Sequence, residues 1–81
     1  MDWAIVAKAA METIYRLSFP KIRYIYSLTL SVQQLIDCAT RPNYYCHGCN
    51  GGDPVEAYRY ARDWGMMLSI DYGFKFKQTW C

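Results

Sequence analysis

No stretch of this chain reaches the ~18 uninterrupted apolar residues of a membrane-spanning helix, so no membrane span is expected. Basic residues are scattered. Nine Lys and Arg stand against seven Asp and Glu, for a net charge of +2, and no clustered stripe is present that would track a nucleic acid. The first residues also lack the basic start of a secretory signal, because Asp2 stands there and Lys8 and Glu12 interrupt the apolar run. There is no internal repeat, linker or low-complexity segment. The 81 residues therefore read as one small unit.

What is present is apolar and aromatic. Hydrophobic residues make up 53% and charged residues 20%, which indicates a folded chain. A core this small is marginal, and aromatics at 17% cannot all be hidden in it. An exposed apolar face is expected, with Trp3 and Trp64 among its residues, open to a second copy or a partner subunit. Four cysteines imply an oxidising compartment if they pair and a metal if they do not.

The densest cluster of chemistry is the loop Cys46-His47-Gly48-Cys49-Asn50-Gly51-Gly52-Asp53. Paired glycines leave backbone N–H and C=O groups uncovered, so another main chain can approach closely. The thiols and the histidine offer covalent anchors or metal ligands. Cys46, His47 and Cys49 with Cys38 would make four soft ligands, but adjacent Cys46 and His47 point apart and no second C-x-x-C follows. No metal and no cofactor are expected; His47 reads as a solvated loop residue.

Helix signals bracket this loop. From Trp3 to Leu17, Trp3, Ala7, Ala10, Ile14 and Leu17 recur at helical spacing, opposite a charged stripe of Lys8, Glu12 and Arg16. Asp2 is placed to cap that helix, and Ser18-Phe19-Pro20 to end it. Alternation over Ile22 to Leu30 favours an extended stretch. Ser31 with Gln34 has the form of a capping box opening a short helix through Cys38. Asp53 as N-cap, Pro54 at the first position and Glu56 at the third start another helix. Its buried face would be Val55, Ala57, Tyr58, Ala61 and Trp64, with an Arg59–Asp63 pair and a stop at Gly65. Met66 to Cys81 is extended or irregular.

Four stretches in order resemble the papain-like cysteine peptidases. Leu30-Ser31-Val32-Gln33-Gln34-Leu35-Ile36-Asp37-Cys38 is similar to the family's L-S-x-Q-x-L-(V/I/L)-D-C helix, and Gly48-Cys49-Asn50-Gly51-Gly52 to its G-C-x-G-G loop. Trp3-Ala4-Ile5 with Ala9-Ala10-Met11-Glu12 resembles its W-A-F…A-x-E helix, and Ile70-Asp71-Tyr72-Gly73-Phe74 its E-x-Y-P-Y segment. A few extra residues lie between Arg16 and Ser31.

The resemblance implies a mainly α fold over residues 1–81: one partial, left-domain unit with a long N-terminal helix, two shorter helices and an extended, disulfide-tied C-terminal segment. It implies a Cys38–Cys81 disulfide. It implies a peptide or protein ligand laid on Gly51 and Gly52, with His47, Asp53 and Pro54 beside it. In the family Cys49 pairs with a cysteine upstream of the nucleophile; here its partner, Cys46 included, stays open. Family members are typically secreted or lysosomal and vacuolar.

The nucleophile is the main departure. The family pattern C-G-S/A-C-W/Y sets the catalytic cysteine directly before the tryptophan, and its histidine and asparagine roughly 130–150 residues later. Here Asp2 precedes Trp3, and none of the four cysteines is followed by Trp or Tyr. A carboxylate is a poor attacking group for an amide. The expectation is a papain-like homologue that is inactive in this form. The alternatives are a non-catalytic binding or assembly module and a small Cys/His metal site.

Overall fold

A computed structural model describes residues 2–19 and 29–81. Three α-helices appear among them: α1 (Asp2–Ser18), α2 (Val32–Cys38) and α3 (Pro54–Trp64). A single 3-10 turn, Gly48–Asn50, precedes α3. The described residues form no strand beyond one antiparallel bridge, Leu30 to Leu68. The extended stretch expected over 22–30 and the stop at Pro20 fall mostly outside the described residues. No helix among those described is long and apolar enough to cross a membrane.

α1 packs on α3 and α2 through Trp3, Ala4 and Ala7, with Ala57 and Tyr60 facing from α3 and Leu35 and Ile36 from α2. Buried alanines, Ala4 and Ala7 on α1 and Ala57 on α3, let the helix backbones approach closely. The buried stripe of α1 differs from the expected one. Ile14 and Leu17 are exposed, whereas Glu12 is buried. Its Oε2 accepts the Leu30 N–H at 2.7 Å and lies 3.3 Å from Lys8 Nζ, so the carboxylate is satisfied inside the fold. Asp2 is the first helical residue rather than the cap, and its charge still meets the positive end of the helix.

In α2, Ser31 is the N-cap and its Oγ accepts the Gln34 N–H at 3.0 Å. The reciprocal half of the capping box does not form. Gln34 instead turns across the chain, taking the Met67 N–H on Oε1 at 2.7 Å and donating to Tyr60 Oη at 3.2 Å. The Ser31 N–H goes to the Met67 carbonyl.

The C-terminal tail runs irregularly along α2, and helix side chains replace a partner strand. Gln33 Oε1 accepts the Lys75 N–H at 2.9 Å, and its Nε2 donates to the Lys77 carbonyl at 2.7 Å. One turn later Asp37 accepts from Thr79 N, Thr79 Oγ1 and Tyr72 Oη, each at 2.7 Å. The disulfide Cys38–Cys81 closes the arrangement, with Cα atoms 4.9 Å apart. The tail also holds Phe76 at φ +62°, a left-handed backbone that costs a bulky L residue about 1–2 kcal/mol.

In α3, Asp53 caps through Oδ1 to the Val55 N–H at 2.9 Å and Pro54 opens the first turn. Gly65 ends it at φ +80°, its N–H on the Ala61 carbonyl. The buried face is again displaced: Val55 and Trp64 are exposed, Tyr58 is at the surface, and Ala57 and Tyr60 are inside. Tyr60 meets Tyr44 edge-on at 5.4 Å, which draws that face of α3 inward. The Arg59–Asp63 pair does not form. Arg59 Nε lies 3.4 Å from Glu56, and Asp63 accepts from Tyr44 Oη at 2.8 Å.

Candidate functional site

The glycine loop is built on the first turn of α1. Trp3 is buried rather than on the exposed face, and its indole N–H donates to the Gly48 carbonyl at 2.9 Å. The same ring lies beneath Gly52. A Cβ there would sit 2.6 Å from the indole and 3.0 Å from Cys46 Cβ, so only glycine fits that position. Gly51 is glycine for another reason. At φ +129° and ψ +169° it occupies a region essentially closed to other residues, with open space around it. Gly48 at φ +59° also needs the left-handed region.

Few hydrogen bonds shape the turn. His47 N–H donates to the Gly51 carbonyl at 2.7 Å, and Asn50 N–H to the His47 carbonyl at 3.0 Å. The Asp53 carbonyl accepts from Glu56 and Ala57 N–H, and the Cys46 thiol donates to it at 3.7 Å. Among the described residues, neither the N–H nor the C=O of exposed Gly52 has a partner. His47 and Asp53 in the same loop are also exposed, and Pro54 is half-buried.

The two free thiols are unlike. Cys46 is buried and Cys49 exposed. Burial pushes the Cys46 thiol up, against the hydrogen bond to Asp53. It is packed inside the fold, where burial disfavours its thiolate. Cys38 is bound to Cys81, so the four-ligand set of Cys38, Cys46, His47 and Cys49 is not assembled. No group of three or more metal-ligating side chains occurs among the described residues. Asp2 is exposed at the start of α1, one residue before the buried indole.

Sequence reasoning missed the indole under Gly52 and the thiol packed beside it. The only signal was Trp3 at the head of a helix, and nothing in a linear pattern ties it to a loop 49 residues on.

The pattern of the papain family cysteine proteases matches residues 2–81. The chain belongs to that family. A cathepsin L-like proteinase of Phaedon cochleariae is 38% identical over 79 residues, which cover 98% of this chain and 22% of that protein. The thiol protease aleurain of Arabidopsis thaliana is 40% identical over 80 residues, covering 98% of this chain and 20% of the relative. A Carica candamarcensis cysteine protease solved in complex with E-64 superposes with a TM-score of 0.82 at 32% identity, over 98% of this chain and 33% of that one. The chain thus spans about a fifth of the length of the curated relatives it matches. The fold is the mainly helical left domain of the papain type, with the expected Cys38–Cys81 disulfide.

Proposed function

We propose that residues 1–81 are one partial domain carrying one wall of a peptide cleft, and that this chain by itself binds extended polypeptide without cleaving it. The observation that supports the reading is the exposed, unpartnered main chain of Gly52. An extended peptide would pair its own N–H and C=O with those groups, as a strand adds to an edge. Gly51 holds the turn open, Trp3 supports it from below, and His47, Asp53 and Pro54 flank the bound chain.

Proteolysis is the chemistry of the family. An amide is attacked by a thiolate, held ionised by an imidazole and a helix N-terminus. In these 81 residues the position before Trp3 is Asp2, and burial disfavours the thiolate of Cys46, the one thiol packed under the loop. Binding and cleavage separate on that ground.

The test uses the 81-residue chain with a labelled, blocked tetrapeptide and a dipeptidyl fluorogenic substrate. Saturable binding that Gly51→Ala weakens, with no thiol-dependent turnover, is the expected outcome. Turnover above blank overturns the inactivity; absence of binding overturns the cleft.

A further inference from the structure

The peptide cleft leaves the C-terminal tail, whose Gln78 packs against Gly48, unexplained. The tail alternates Phe74-Lys75-Phe76-Lys77, and three facts about it are independent of one another. The backbone is fixed rather than loose: buried Gln33 takes the Lys75 N–H and the Lys77 carbonyl, and buried Asp37 takes Thr79 just beyond. Between those anchors Phe76 sits in the left-handed region and is 82% exposed, so a strained residue presents a large apolar surface to water. Strain of this kind persists only where the surroundings hold it, and it gathers at sites of function. Finally, both lysines are exposed, and no carboxylate among the described residues pairs with either. Lys75 lies over Tyr72 at 5.9 Å, and Phe74 meets the Phe76 ring at 4.6 Å.

From this geometry we propose that the Phe74–Lys77 ridge docks an acidic polypeptide segment carrying an apolar side chain. The two ammonium groups would meet its carboxylates, and the paired phenyl rings its apolar residue. An aromatic anchor between charges, on a backbone already ordered, is the arrangement in which a short contact yields specific binding. Charge count favours a peptide over a lipid surface, since lipid headgroups are read by clusters of about 4–8 basic residues and two are present here. The same scarcity argues against nucleic acid, whose backbone needs a charged track.

The proposal is separable from the glycine loop by mutation. The probe is a labelled acidic octapeptide, Glu-Glu-Phe-Glu-Leu-Glu-Glu-Gly, titrated against the 81-residue chain at low and high salt, beside a version with every Glu replaced by Gln. Binding is expected for the acidic form alone, weakening as salt rises. Replacing both Lys75→Glu and Lys77→Glu should weaken it about tenfold or more. Phe76→Gly is the discriminating variant. Glycine relieves the backbone at that position, so the folded state is kept or gains stability, while binding falls about tenfold. Equal binding by Phe76→Gly overturns the proposal, and so does binding of the Gln peptide to the same extent. Capture by phosphatidylserine vesicles or single-stranded oligonucleotide without capture of the acidic peptide overturns it also, in favour of that ligand.

Discussion

The two faces of α2 and α3 solve opposite problems. Along α2 every polar group of Gln33 and Asp37 is used, two side chains one turn apart stand in for a whole strand, and a disulfide seals the result. At the head of α3 the backbone of Gly52 is left without partners, and the loop around it is kept in place by glycine conformations and one indole. One region is over-determined and the other is held open. The difference indicates that the tail is placed by side-chain hydrogen bonds from α2, whereas the open loop takes its position from the Trp3 indole of α1.

The comparison can be broken from its rigid side first. The Cys38–Cys81 bond spans 43 residues, so by loop entropy it contributes about 4 kcal/mol. Reduction, or the pair Cys38→Ser and Cys81→Ser, should lower urea-unfolding stability by about that much, a large share of what so small a domain has. Retained stability would mean that the side-chain clamp alone fixes the tail.

Asp37→Ala is next, at about 3 kcal/mol, because it strands the Thr79 and Tyr72 donors inside the fold. The pH profile carries the same information. Burial pushes the Asp37 carboxyl up, but hydrogen bonds from Thr79, Tyr72 and Gln33 together outweigh it and hold the group below the ordinary carboxylate range. A depressed folded value means stability present above the unfolded pKa and lost as acid protonates the folded group. Tyr72 is the mirror case: burial first, then the bond to Asp37, raises it to about 12. Its share is intact below the ordinary tyrosine value near ~10 and lost as pH climbs through the folded one. Wild type should lose stability at both ends, and Asp37→Ala should flatten the acid end.

Much of this was legible in the sequence, unevenly. Helix starts were, because a cap is local chemistry: Ser31 and Asp53 accept the N–H groups of residues only a few positions on. The disulfide and the family followed from ordered motifs. Faces were not. Ile14, Leu17 and Val55 fit a helical period yet lie outside, since periodicity says that a stripe exists and tertiary packing decides which one is buried. Glu12 reads as a surface charge until the Leu30 N–H that it satisfies is seen 18 residues away. The alternation of Tyr72, Phe74 and Phe76 reads as an extended or irregular tail; no strand lies beside it among the described residues, and Gln33 and Asp37 bend it to their own spacing. In the candidate site the glycines were visible and their support was not.

The smallest effects come from the open side, where the two glycines should fail differently. Gly51→Ala adds a methyl into empty space, so its cost is backbone strain, about 1–3 kcal/mol, and the loop should relax by changing conformation. Gly52→Ala keeps an ordinary backbone but drives a methyl into the Trp3 ring, an overpacking of about 1–3 kcal/mol that must push the indole aside. A second change separates them. Trp3→Leu removes the ring, so in that background Gly52→Ala should lose the larger part of its penalty, keeping the part owed to Cys46 Cβ at 3.0 Å, while Gly51→Ala keeps its full penalty. Measured as a double-mutant cycle in urea, coupling between positions 3 and 52 of about 1 kcal/mol or more, with none between 3 and 51, is the expected result. Equal coupling at both glycines would show that the loop moves as one body on the indole, and that its openness comes from α1 rather than from its own backbone.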